Sequence, residues 1–252
     1  MTNNMRRTAL VTGASYGVGA AIAKALAADG WRLALTATKA ENCAATAQSI
    51  IETGGAATTH SLDLRSQESI EALVHDVSQS GPIRVLVNNA GVNLRRDAVD
   101  VTRQEWDDVM LANLTGTFFL TQAVGCRLIE SKLDGSIVTI SSSHGLLGAP
   151  QRSTYGISKG ALIQMVRMLA VEWGPNNIRI NAIAPGRLLT DSPSRAGTGS
   201  NEAYLANMLS KIPLGRFASA EDVAAIAAFL ASPSASSITG QIIPVDGGLS
   251  AA

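Results

Sequence analysis

Short apolar runs alternate with longer segments of helical period along the chain, and few folds accommodate that order. Thr8-Ala9-Leu10-Val11-Thr12 reads as a buried strand. A helix follows over 17–29, with Val18, Ile22, Ala25 and Leu26 at helical spacing and Gly30 to close it. The same logic predicts strands over 32–38, 57–62, 83–87, 136–141, 178–183 and 241–245. It predicts helices over 41–53, 66–79, 155–173 and 220–231, while 102–130 holds either two helices or one long bent one. Strand–helix–strand repetition implies parallel pairing through right-handed crossovers. Uniformly apolar strands imply a sheet covered on both faces. The expected fold is α/β: a single-domain, doubly wound parallel sheet of about seven strands over 1–252, helices on both faces. The segment 185–200, with Gly186, Pro193, Gly197 and Gly199, is long for a connection. With a helix over 201–209 it is expected to form a substrate lid at about 187–210.

Composition narrows the function classes. Lys plus Arg and Asp plus Glu each number 20, so the chain carries no net charge to gather nucleic acid or an anionic membrane. Cys43 and Cys126 form no Cys-x-x-Cys, and with three histidines no metal site is expected. The polar start of the chain and the lack of a run of about 18 apolar residues point to a cytoplasmic protein without a membrane span.

The first strand runs into Thr12-Gly13-Ala14-Ser15-Tyr16-Gly17-Val18-Gly19, which opens the first helix. Glycines let a backbone turn tightly and approach a pyrophosphate, and the helix N-terminus supplies N–H groups and partial positive charge. The spacing is Gly-x3-Gly-x-Gly, so the motif supports a dinucleotide site of the Rossmann kind through its strand-to-helix context. An acidic residue at the end of the second strand would grip ribose hydroxyls and repel a 2′-phosphate. Here the strand ends Leu35-Thr36-Ala37-Thr38-Lys39, which favours NADP(H) over NAD(H), with Thr36, Thr38 and Lys39 as phosphate partners. Tyr16 stands where a basic residue would help. Asp63 is placed either to accept from the adenine amino group or to cap the next helix.

At the other end of the expected site, Asn88-Asn89-Ala90-Gly91 follows the fourth strand, and two asparagines there can tie neighbouring backbones. Tyr155 and Lys159 lie one helical turn apart. Free tyrosine ionises near pH 10, roughly; a nearby ammonium favours the phenolate. Ser142 ends the fifth strand, where parallel sheets bind ligands. Asn113 is positioned to hold a water connecting Lys159 to solvent.

Taken together these residues resemble the short-chain dehydrogenase/reductase family over essentially the whole chain. The cofactor turn 12–19, Asn88-Asn89-Ala90-Gly91, Pro185-Gly186-Arg187-Leu188-Leu189-Thr190, Ile238-Thr239-Gly240 and Val245-Asp246-Gly247-Gly248 fall in the family's order. The resemblance implies a catalytic tetrad of Asn113, Ser142, Tyr155 and Lys159. It also implies nicotinamide-cofactor contacts from Gly13, Ser15, Tyr16, Gly17, Val18, Gly19, Thr38, Lys39, Asp63, Leu64, Asn89, Ala90, Gly91, Ile140, Tyr155, Lys159, Pro185, Gly186, Leu188 and Thr190. The resemblance also implies a homotetramer paired partly through the helices of 102–130 and 155–173, and their small outward residues, Ala161, Ala170 and Gly116, allow such contact.

The closest likeness is to the 3-oxoacyl-carrier-protein reductase type, whose acidic carrier calls for basic docking residues. The corresponding positions, Lys132-Leu133-Asp134 and Gly174-Pro175-Asn176-Asn177, are mostly neutral, so a small polar ketone or hydroxy compound is favoured. Asn93, Arg95, His144, Gln151 and Arg187 are the substrate candidates. A catalytically silent nucleotide-binding regulator and a methyltransferase-like enzyme on the same scaffold are the alternatives; neither uses the Tyr155/Lys159 pair.

Overall fold

The computed structural model describes residues 7–188 and 202–251. Thr190 and most of the expected lid lie outside them. Seven strands form one parallel sheet in the order β3-β2-β1-β4-β5-β6-β7. They are β1 (Thr8–Thr12), β2 (Arg32–Ala37), β3 (Ala56–Ser61), β4 (Ile83–Asn88), β5 (Gly135–Ile140), β6 (Ile178–Pro185) and β7 (Ile242–Val245). The helices are α1 (Gly17–Ala28), α2 (Ala44–Glu52), α3 (Gln67–Gln79), α4 (Arg103–Met110), α5 (Gly116–Glu130), α6 (Ser153–Trp173), α7 (Glu202–Leu209) and α8 (Ala220–Ala231).

The apolar strand runs serve two cores. Ala9 and Val11 of β1, Leu33 and Leu35 of β2, and Val138 and Ile140 of β5 pack with α1 and α8 on one face. Leu10, Ala34 and Ile137, the alternate residues, pack with α3, α5 and α6 on the other. A half-buried strand would show a polar residue at every second position, and these do not. β3 departs from the expected uniform apolarity: Thr58, Thr59, His60 and Ser61 are at most partly buried, as an edge strand allows. The order reverses between β1 and β4, so their carboxyl ends splay apart and leave a crevice.

The 102–130 region resolves the two sequence alternatives in an unexpected way. α4 and α5 run on through a single wide turn of π-helix, Leu111–Thr115. Such a turn inserts a residue into the hydrogen-bond ladder and re-aims a side chain; here Asn113, fully buried, is turned inward. The composite 28-residue helix is long and apolar enough to cross a membrane, but half of its most apolar window is buried inside the fold.

Gly116 and Ala170 do not face outward as the sequence implied; both are buried. Gly116 packs on the backbone of Leu64, where a Cβ would overlap the Leu64 carbonyl oxygen. The exposed large apolar side chains of α5 and α6 are Phe119, Ile157, Met168 and Val171. Gly116→Ala is therefore expected to destabilise the protein by about 1–3 kcal/mol, through overpacking against backbone that cannot rotate away. A thermal melt indistinguishable from wild type would show that α5 can retreat from Leu64.

Candidate functional site

A cleft of about 770 Å³ opens at the β1/β4 reversal, within the size range of small-molecule sites. One end is built on the turn from β1 into α1. Gly13 (φ 65°) and Gly17 (φ 60°) take left-handed backbone conformations that cost glycine little. Gly19 lets α1 close on the turn, since a Cβ there would overlap the Gly13 carbonyl. Tyr16, at the start of α1, offers no side-chain cap, and the first turn has no acidic residue. The leading N–H groups of α1 are thus left for an anion.

This turn is fastened from behind. Thr12 Oγ1 donates to the Val87 carbonyl at 3.3 Å and accepts from the backbone N–H of Asn89 and Ala90, both at 3.0 Å. Asn89 Nδ2 donates back to the carbonyls of Thr12 (3.0 Å) and Gly13 (2.9 Å). Asn89 is the backbone tie expected of the asparagine pair. Asn88 points elsewhere, donating to the hydroxyls of Thr121 (2.8 Å) and Thr139 (3.4 Å) in the core.

At the end of β2, Thr36, Thr38 and Asn42 line the cleft. Thr36 is 0% exposed and its Oγ1 is buried without a hydrogen-bond partner, so of the expected phosphate partners only Thr38 presents a hydroxyl at the cleft. Lys39 is exposed and is not part of the lining. Asp63 and Leu64 do line it. Asp63 does not cap α3, a task taken by Ser66, whose side chain accepts from Ser69 N–H. Asp63 accepts instead from the Arg65 guanidinium and N–H at 3.0 Å, which holds its carboxyl below the usual range.

The opposite end carries the titratable groups. Ser142, Tyr155 and Lys159 line the cleft together, with Ile140, Pro185, Gly186 and Leu188. Lys159 is 4% exposed and its Nζ donates to the Ile140 carbonyl at 2.9 Å. Nζ lies 5.8 Å from the centre of the Tyr155 ring. Burial pushes the Lys159 ammonium from 10.5 down to about 8, so it remains mostly charged at neutral pH. Ser141 Oγ donates to the Lys159 carbonyl at 2.9 Å, fixing α6 against the end of β5. Ser142 Oγ accepts from His144 N–H at 3.2 Å.

Asn113 does not hold out a free side chain for water. Its Nδ2 donates to the Val92 carbonyl (2.9 Å) and Ser158 Oγ (3.1 Å), and its Oδ1 accepts from Val92 N–H (2.7 Å). Ser158 Oγ in turn donates to the Tyr155 carbonyl at 2.8 Å, so Asn113 braces the turn of α6 that presents Tyr155. Of the substrate candidates, only Asn93 reaches the lining. Arg95 and Gln151 bond each other at 2.8 Å outside it. His144 stacks edge-on to Tyr155, centroids 6.3 Å apart. Arg187 lies over the Phe217 ring and donates to Met208 Sδ, away from the cleft. Sequence reasoning missed Asn42, Arg65, Asp108, Val109 and Ala112 in the lining. With Glu105 the last three stand at i, i+3, i+4 and i+7, one helical face turned to the crevice.

Comparison with known proteins agrees with this geometry. A family profile described as enoyl-(acyl carrier protein) reductase matches residues 13–250. D-threitol dehydrogenase of Mycolicibacterium smegmatis is 37% identical over 96% of this chain and 92% of its own. A 3-oxoacyl-(acyl-carrier-protein) reductase of Aquifex aeolicus is 37% identical over 96% and 97%. The crystal structure of actinorhodin polyketide ketoreductase with NADPH superposes with a TM-score of 0.91 at 32% identity, covering 99% of both chains.

The buried Lys159 has a thermodynamic signature. Its folded-state pKa of about 8 lies below the ordinary 10.5, so between these values the unfolded chain binds more protons and stability rises with pH. The penalty is full below about 8 and gone by about 10.5. Lys159→Met removes it, and is expected to stabilise the ligand-free protein at pH 7 by about 1–3 kcal/mol, with the gain shrinking at alkaline pH. Denaturant unfolding at pH 7 and pH 10 checks this; a variant less stable than wild type at pH 7 would refute it.

Proposed function

The chain belongs to the short-chain dehydrogenase/reductase family, nicotinamide-dependent oxidoreductases of alcohols and ketones, and on that premise we propose how its own residues divide the work. The observation that carries the reading is the buried Lys159 ammonium beside the Tyr155 ring, at the cleft that Ser142 also lines. When bound, the cofactor supplies or accepts a hydride at the substrate carbon. Tyr155 gives its phenolic proton to the substrate oxygen in reduction and takes it back in oxidation. Lys159 favours the phenolate by charge. Ser142 Oγ donates to the substrate oxygen and holds it near the phenol. Asn113, through Ser158, holds the helical turn that carries Tyr155.

The residues present suit a dinucleotide. Gly13, Ser15, Tyr16, Gly17, Val18 and Gly19 would take the pyrophosphate, Asp63 and Leu64 the adenine, Asn89, Ala90 and Gly91 the floor, and Ile140, Lys159, Pro185, Gly186 and Leu188 the nicotinamide half. NADP(H) is preferred over NAD(H), because the end of β2 offers the hydroxyl of Thr38 and no carboxylate. The substrate is a small polar ketone or hydroxy compound. D-threitol dehydrogenase among the relatives supports this, as does the neutral composition of the positions where an acidic carrier would dock. The exposed Phe119, Ile157, Met168 and Val171 support a homotetramer, in a cytoplasmic setting.

Nicotinamide absorbance with D-threitol, D-gluconate, ethyl acetoacetate and an acetoacetyl thioester tests the assignment. Turnover of a polyol or sugar acid is expected, and Tyr155→Phe should lower kcat by at least ~100-fold. Turnover of the thioester alone would favour the carrier-protein reading, and an unimpaired Tyr155→Phe variant would overturn the mechanism. Thr38→Asp is expected to weaken NADPH binding by about tenfold or more in a fluorescence titration, while leaving NADH binding intact or improved. Equal affinity of wild type for both cofactors would contradict the preference.

A further inference from the structure

Two segments far apart in sequence meet at the mouth of the carbonyl end. One is 92–97, which follows β4 and supplies Val92, Asn93 and Leu94 to the cleft wall. The other is 146–152, which leads into α6 and so into Tyr155. Gln151 joins them. Its carbonyl accepts from Arg96 N–H at 3.2 Å, its Oε1 from Arg95 Nε at 2.8 Å, and its Nε2 donates to Asp97 Oδ2 at 3.2 Å. Next to it, Arg152 Nη1 donates to Asn93 Oδ1 at 2.6 Å, reaching a residue of the wall itself.

Two features set Gln151 apart from an ordinary turn residue. Its backbone is left-handed, at φ 60°, where glycine or asparagine is the usual occupant and other residues are strained. Such a conformation persists only where the surroundings fix it. Its side chain also matches its partners in a way few others can. Arg95 and Asp97, two apart on an extended segment, present a donor and an acceptor to the same side. A primary amide is the neutral group that accepts from one and donates to the other at once.

We propose that Gln151 is a positioning residue: a latch that fixes segment 92–97 against the start of α6 and so sets the width of the carbonyl end and the compounds that fit it. The inference rests on the carbonyl–alcohol reading of this cleft. It differs from a direct substrate role, since neither Gln151 nor Arg95 lines the cleft.

Gln151→Gly removes the two side-chain bonds of the latch, leaves the backbone bond to Arg96, and relieves the left-handed backbone, so folding is not at risk. By hydrogen–deuterium exchange the amides of 92–97 should exchange about tenfold faster in this variant, with the melting temperature held or raised. For whichever of the four compounds above the wild type turns over, KM should rise about tenfold, kcat stay within about threefold, and NADPH affinity stay within about twofold. Gln151→Glu alone sets a carboxylate against Asp97 and should behave like the glycine variant. Combined with Asp97→Asn, the new carboxylate accepts from both Arg95 and the new amide at position 97, and exchange and KM should return towards wild type. Unchanged exchange at 92–97 in Gln151→Gly would overturn the latch. So would a raised KM that the double substitution fails to restore, because Gln151 would then be touching substrate itself. Should no compound be turned over, the carbonyl reading fails, and the exchange measurement still decides whether the latch exists.

Discussion

A single buried cation organises the reactive half of this molecule. The Lys159 ammonium is almost wholly withdrawn from water, and the bond to the Ile140 carbonyl compensates only part of its lost hydration. A group so placed lowers stability, and it stays there only where the surrounding structure is rigid enough to hold it. The ties around it supply that rigidity. Ser141 grips the Lys159 backbone, and Gly145 and Gly156 allow the turn after β5 to press against α6, with no room for a Cβ at either. The π-helical turn aims Asn113 at Ser158, under Tyr155. The destabilising charge and its braces read as one device, in which stability is traded for a cation one turn from a phenol.

The phosphate end obeys a different constraint. No charge is buried there; the requirement is that backbone N–H groups stay uncapped and correctly aimed. Thr12 and Asn89 achieve this by bonding the two splayed strand ends to each other, leaving the N-terminus of α1 without a side-chain cap. Because the two ends of the cleft sit on β1 and β5, strands of one parallel sheet with β4 between them, their separation is set by the sheet and not by loops. That arrangement suits a long ligand whose two ends are recognised by unrelated chemistry.

Much of this was legible in the sequence because it depends on local periodicity. The strands and most helix ends are fixed by apolar runs and glycines, and the grouping of Ser142, Tyr155 and Lys159 follows from where a parallel sheet must place its strand ends. What escaped depends on contacts distant in sequence. Nothing local shows that Gly116 faces the Leu64 backbone and not solvent, or that the helix of 103–130 widens at Leu111. Arginine is a sound candidate for an anionic substrate by residue type alone. Only the fold reveals that Arg95 is engaged by Gln151, and that Arg187 turns to Phe217 and Met208. Lys39 illustrates the same limit, since one residue along an ending strand separates the cleft-lining Thr38 from a side chain outside it.

The reactive half works only if the charge on Lys159 makes the Tyr155 phenol easier to ionise. With three tyrosines in the chain, ultraviolet difference titration of wild type against Tyr155→Phe isolates this phenolate, and the same subtraction in a Lys159→Met background removes the cation. Ionisation of Tyr155 is expected to move to higher pH when the ammonium is absent. An unchanged midpoint in the two backgrounds would contradict it.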